Sequence, residues 1–242
     1  MSPYLRAEWS KLWTVPGTAW LLAGAVVGTA GLGALAAAAC SPGECAGGDP
    51  TRTSLTGLHI GQCVVAILAV LTIGGEYATG MMRVTLAALP RRPAVLAAKA
   101  AVLAAVVLPA AAVAVPASLL AGDGPSMADG PVLRAAVGSV LYLLLVALLA
   151  LGVATAVRNP AAAIGCVLGL LYLFPIVAAA MADEDWQRRL QRVGPMSAGQ
   201  SIQATAGLDE LPIGPWAGLG VVALWAAGAL LLGALALQAR DA

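Results

Sequence analysis

The chain has 242 residues, of which 60% are hydrophobic and only 10% charged, with a mean hydropathy of +0.89 and a formal net charge of +1. A soluble domain carries about 25% charged residues, so this composition excludes an ordinary soluble enzyme or binding module and points to an integral, all-α membrane protein. The 13 bases are spread along the chain and leave no nucleic-acid-binding patch.

The opening segment MSPYLRAEWSKLWTVPG reads as a helix lying on the membrane over residues 1–16. Leu5, Trp9, Leu12 and Trp13 recur at i, i+4, i+7 and i+8, with Arg6, Glu8, Ser10 and Lys11 placed on the other side. Ser2-Pro3 starts this helix and Pro16-Gly17 stops it. The Trp rings suit the headgroup layer. A plain anchor and a surface shaped for a partner both fit the pattern. The first span follows at 18–39, and because five more apolar runs come after it, it is not a cleaved signal. Cys40 and Cys45 fall in the next loop, CSPGECAGGDPTRT, where Pro42-Gly43 permits a turn; a disulfide and two free thiols are both open.

The second span covers 57–75, and its end is followed by a polar island, GGEYATGMMRVTLAALPRRPAVLAAKA. One acid and four bases stand there between two long apolar runs. Residues 77–89 fit a short helix ended by Pro90, with Met82, Leu86 and Leu89 on one stripe and Arg83 two turns from Glu76. A loop that only turned would need a few residues, so the 76–92 loop reads as a docking element; a plain loop with topology-setting arginines is the simpler reading. The third span, 94–121, opens with Lys99, expected to snorkel its ammonium to the surface. Spans four and five cover 132–157 and 161–181. The segment 182–214 then reads as a lid. Asp183 caps a helix carrying Trp186, Leu190 and Val193 on one face, Gly194-Pro195 ends it, and 196–206 is apolar enough to re-enter the bilayer before the sixth span, 215–237.

With six spans both termini share a side. The segments on that side hold eight bases (Arg6, Lys11, Arg83, Arg91, Arg92, Lys99, Arg158, Arg240) against three acids, and the opposite segments hold five bases against nine acids. The positive-inside bias therefore places both termini in the cytoplasm, with loops 40–56, 122–131 and 182–214 outside. The whole chain, 1–242, is one transmembrane domain.

No enzyme chemistry emerges. His59 is a lone histidine near the start of the second span, Ser197 lies three residues after Gly194 and so misses the nucleophile-elbow spacing, and four Cys with one His give no recognisable metal site. Cys63 and Cys166 fall inside spans as small buried residues. The pairs Gly24/Gly28, Gly57/Gly61 and Gly165/Gly169 suit close packing in general and single out no contact. No phosphate-binding loop G-x-x-x-x-G-K-[ST] occurs.

RAEWSKLW near the N-terminus, the island with its E-Y-x-x-G, R-x-T-L and P-R-R elements, and PMSAGQSI before the last span together resemble the second type of ATP-binding-cassette exporter permease, in the small six-helix form of actinobacteria. The resemblance implies a membrane subunit that pairs with a second permease, either a copy of itself or a related chain. It also implies docking on a separate cytoplasmic ATPase, which would bind ATP and Mg; the chain itself would hold no cofactor. Glu76, Tyr77, Met82, Arg83, Leu86, Leu89, Arg91 and Arg92 would then form the coupling helix and its flanks. Cargo, amphipathic or lipid-like, would pass between paired subunits along the first, second and fifth spans, with Gly28 and Gly61 at the cavity. A non-transporting scaffold or sensor subunit docked to an ATPase is the alternative.

Overall fold

Alanine- and leucine-rich runs leave the backbone no hydrogen-bonding partner in lipid except itself, and the spans are helical for that reason. The computed structural model describes residues 3–14, 16–39, 48–88, 91–121 and 128–239, and among these it contains no strand. Its helices in chain order are α1 (Pro3–Thr14), α2 (Pro16–Ala38), α3 (Pro50–Ser54), α4 (Leu58–Ala78), α5 (Met81–Ala88), α6 (Arg92–Leu120), α7 (Gly130–Val157), α8 (Pro160–Ala180), α9 (Glu184–Val193), α10 (Pro195–Gln200) and α11 (Pro215–Ala239). Among the described residues six apolar stretches are long enough to cross a membrane: α2, the run Pro50–Ala78 that joins α3 to α4, α6, α7, α8 and α11. They match the six spans expected from hydropathy. Cys40, Cys45, Leu89 and the side chains of Trp13 and Leu86 lie outside the described residues.

Helix starts follow local chemistry. Asp49 accepts the Arg52 N–H ahead of Pro50, Asn159 accepts the Ala162 N–H ahead of Pro160, and Asp183 accepts the Asp185 and Trp186 N–H groups at the head of α9. Pro109 and Pro116 inside α6 and Pro175 inside α8 are accommodated within continuous helices, as they often are among packed membrane helices.

The core gathers on α7, which packs against α4, α6, α8 and α11 and buries Tyr142, Leu143, Val146 and Leu149. Glycines set how closely the helices approach along two seams, α2 with α4 and α7 with α11. A Cβ on Gly57 or Gly61 would run into Thr29 of α2, and one on Gly152 into the backbone at Ala229–Leu230 of α11. Gly28 meets only the Ile60 side chain, at 3.2 Å, while Gly24, Gly165 and Gly169 face open space. Gly28 and Gly61 therefore lie along the α2–α4 packing seam.

α9 forms where the sequence put it, but among the described residues its apolar stripe is only partly covered: Leu190 is half-buried, while Trp186 is 55% and Val193 53% exposed. The segment after it tucks into the bundle as α10 and a 3-10 turn, burying Met196, Ala198 and Ile202 against α7, α8 and α11.

Candidate functional site

The polar island departs from its expected form in a way that creates the site. α4 does not surface at Glu76 but runs on to Ala78, so Glu76 stays inside the bundle at 6% exposure. Gly80, at φ +71°, makes the left-handed turn that a side chain would strain, and α5 begins one residue later. Arg83 is exposed and not a partner of Glu76 among the described bonds.

Glu76 pairs instead with two lysines. Its Oε1 accepts from Lys11 of α1 at 2.8 Å and forms an ion pair with the Lys99 ammonium of α6 at 2.9 Å. Glu8, one turn before Lys11, closes the ring: it accepts from Lys99 at 2.6 Å and from Lys11 at 3.1 Å. Lys11 gives its remaining N–H to the Thr85 hydroxyl of α5 at 3.1 Å, and that hydroxyl in turn donates to the Met81 carbonyl. Four charges and one hydroxyl thus tie α1, α4, α5 and α6 together at one end of the bundle.

Two expectations are overturned here. Lys99 does not snorkel; its side chain is 2% exposed, because two carboxylates reach it where it lies. Glu8 does not share a solvent face with Arg6 and Ser10: it follows Leu5 by three residues and precedes Leu12 by four, which puts it on their face, and it is buried with Leu12 while Trp9 is 38% exposed. Both had a sequence signal, an ionisable residue set within an apolar helical stripe; on α6 Lys99 is flanked by Val95 and Val102 at i−4 and i+3.

Burying ions is costly, and four are retained only because each finds an opposite partner. Burial disfavours the charged form of Lys11, but the hydrogen bond and attraction from Glu76, with Glu8 behind it, prevail and raise its pKa above the ordinary 10.5. The cluster holds two acids and two bases, so it is neutral as a unit.

The other expected docking residues take different posts. Met82 is buried beside the cluster, with Met81 and Val84 exposed. Tyr77 turns toward α7, donating to the Thr155 carbonyl at 3.4 Å beneath the Arg158 guanidinium, 5.6 Å from its ring. Arg92 donates to the Leu237 carbonyl at 2.5 Å and Arg158 to that of Ala236 at 3.1 Å, so two cations meet the carbonyl-rich end of α11, where the helix dipole is negative. Arg91 is exposed. Leu5 is half-buried against the core.

At the opposite end, the Asp49 carboxylate accepts from the Thr205 N–H and hydroxyl and the Ala206 N–H, tying the head of the second span to the segment after α10. Burial alone would raise its pKa, but those hydrogen bonds, led by Thr205, hold it below the ordinary value of 3.8. Between the two ends, Gln62 donates to the Tyr172 hydroxyl at 2.8 Å and accepts from that of Tyr142, while Tyr172 donates to the His59 carbonyl at 2.6 Å. Cys63, half-buried, lies 2.8 Å from the same Tyr172 oxygen and belongs to this network. Cys166 is exposed on α8, not buried as its place in a span suggested. Among the described residues no group of three or more His, Cys, Asp or Glu could hold a metal ion.

No protein-family model and no curated protein matches the chain; its class is carried by the six apolar helices, which make it a multi-pass membrane protein.

Proposed function

We propose that the chain is the membrane subunit of an ATP-driven exporter of the second ATP-binding-cassette type, docked through α5 on a separate ATPase and paired with a second permease. The observation that carries this reading is the charge cluster of Glu8, Lys11, Glu76 and Lys99 with Thr85. It makes a short helix at the bundle's end part of one bonded unit with two spans and the N-terminal helix.

A push on α5 at the exposed Met81, Arg83 and Val84 would be passed through Thr85 to Lys11 and on to α4 and α6. Such a relay shifts an alternating-access equilibrium by the difference in contacts between the two states. The end bearing the cluster also carries Arg83, Arg91, Arg92 and Arg158, which supports a cytoplasmic placement, hence both termini inside the plasma membrane. α2 and α8 are the least buried spans, at 17% and 22% of their apolar windows, and leave faces free for a second subunit. Cargo of amphipathic or lipid-like character fits spans that are apolar along most of their length, with the neutral Gln62–Tyr142–Tyr172 network between the two ends.

The experiment is reconstitution of the purified chain in vesicles with candidate ATPase subunits. Stable co-purification, with ATP hydrolysis stimulated by an amphipathic cargo and movement of that cargo, is the expected result. Docking without stimulation or movement would assign the chain to a scaffold or sensor role, and failure to bind any such ATPase would remove the coupling reading altogether.

A further inference from the structure

A groove of about 690 Å³ runs along the flank of the bundle, floored by α7 and bordered by α8 and α11. Leu149, Val153, Leu170, Leu224 and Leu232 line it, and its lip lies on the outer surface of the bundle, where Leu224 is 75% and Leu232 64% exposed. Along α11 it extends from Val221 to Leu232, about 16 Å of helix, which is about half of the roughly 30 Å hydrocarbon core and so the reach of one acyl chain.

One end of the groove is closed by the last turn of α9. The Trp225 indole holds that turn in place, donating to the Val193 carbonyl at 2.9 Å and meeting the Phe174 ring edge-on. Of the residues that line the groove only Arg192 and Trp225 carry polar side-chain atoms, and the indole N–H is committed to Val193. Arg192 is exposed; its Nε donates to the Pro212 carbonyl at 2.6 Å, and its other N–H groups make no bond among the described residues. Pro212 precedes the first residue of α11, so this bond draws the guanidinium toward the end of the spans while its stem stays against the groove.

The charge around that guanidinium is positive. Arg188, Arg189 and Arg192 fall in the second half of α9, and Glu184 and Asp185 stand in its first turn, about 10 Å or more from Arg192 along the axis and beyond the reach of unscreened attraction in physiological salt. Among the described residues the one ion pair on this helix is Arg188 with Glu184 at 3.1 Å, while Arg189 lies over the Trp186 ring at 5.4 Å. Asp209 and Glu210 are exposed and make no ion pair with Arg192, and Asp49 is occupied by Thr205 and Ala206. Planar N–H donors at the head of a hydrocarbon groove suit a phosphate that carries an acyl chain, because a guanidinium forks onto two phosphate oxygens. A cationic head would meet a like charge, and a peptide would leave its backbone amides without partners along the groove.

We infer that this groove is a binding site for an acidic phospholipid, its phosphate on the Arg192 guanidinium and one acyl chain lying along α7 between α8 and α11. The head belongs to the leaflet that covers the end of the bundle opposite the charge cluster. The site is formed by this chain alone and does not rest on the transport reading, so its test needs no ATPase.

The purified full-length chain in non-ionic detergent is titrated with dioleoylphosphatidylglycerol or dioleoylphosphatidylcholine, and bound lipids are counted by native mass spectrometry. The first phosphatidylglycerol should bind about fivefold more tightly than the first phosphatidylcholine, the order expected of one basic side chain beside an anionic head. Arg192→Gln should remove that margin. Gly228 lines the groove and a Cβ there meets nothing within 4 Å. Gly228→Leu should therefore leave the melting temperature in place and weaken both lipids about tenfold, the worth of roughly two buried methylenes. Arg192→Gln, at an exposed position, keeps the test decisive should the glycine variant not fold. Equal affinity of the parent for the two lipids would overturn the proposal, as would a phosphatidylglycerol affinity unmoved in the folded variants. A dimer that Gly228→Leu disperses would seat a second copy of the chain in the groove and overturn it as well.

Discussion

Lys99→Met keeps the length of the side chain and removes the ammonium that bridges Glu8 at 2.6 Å and Glu76 at 2.9 Å. At an effective dielectric of about 20, each such contact is worth about 6 kcal/mol of gross attraction. Desolvation of a side chain 2% exposed cancels much of it. The variant, however, does not recover the whole of that desolvation, because both carboxylates stay buried with Lys11 alone between them. Removing one partner of a buried pair costs about 3–5 kcal/mol, a large share of the roughly 5–15 kcal/mol that holds a domain folded. Lys99→Met should therefore lower the melting temperature of the detergent-solubilised protein sharply. Glu8→Gln with Lys99→Met restores charge balance, and its loss should fall short of the sum of the single losses by about 1–3 kcal/mol. A Lys99→Met protein within about 0.5 kcal/mol of the parent, or a strictly additive double variant, would refute the buried cluster and return Lys99 to the membrane surface.

Glycine substitutions should separate by seam: Gly57→Leu and Gly61→Leu, which collide with Thr29, should cost about 1–3 kcal/mol or more, while Gly165→Leu, in open space, should leave thermal unfolding within about 0.5 kcal/mol. Gly80→Ala forces a side chain onto φ +71° and should cost about 1 kcal/mol; an unchanged melting temperature would mean the α4–α5 turn is not held in that conformation. Asp49 has a folded pKa below its ordinary value, so its hydrogen bonds to Thr205 and Ala206 stabilise the loop above about pH 4 and are lost as pH falls through the lowered pKa. Amide exchange at 205–206 should accelerate beyond its intrinsic pH trend only in acid, and Asp49→Asn should abolish that dependence. Lys11 works in the opposite sense: its raised pKa keeps its stabilisation intact below about pH 10.4, to be lost only as pH rises through the folded value. A cysteine-free chain carrying one added N-terminal Cys should resist a membrane-impermeant thiol reagent in intact cells; labelling there would reverse the topology.

Hydropathy by itself determined the membrane class and the six spans, because a span must be about 20 residues of self-bonded helix whatever surrounds it. Local chemistry likewise made the head of α9 legible, since Asp183 caps its own neighbours and needs nothing distant. Glu76 and Lys11 stood out as charges in the right segments, but their partners did not. Glu8 and Glu76 are 68 positions apart and meet only through Lys11 and Lys99, and no local pattern says that α1 folds back onto the start of α6. Tertiary structure decided that Lys99 faces inward, that Glu76 answers Lys11 rather than Arg83, and that Gly57 and Gly61 set a seam while Gly165 and Gly169 do not. The reason is the same in each case: a helix's period tells which residues share a face, and only the neighbouring helix determines whether that face meets lipid, backbone or an opposite charge.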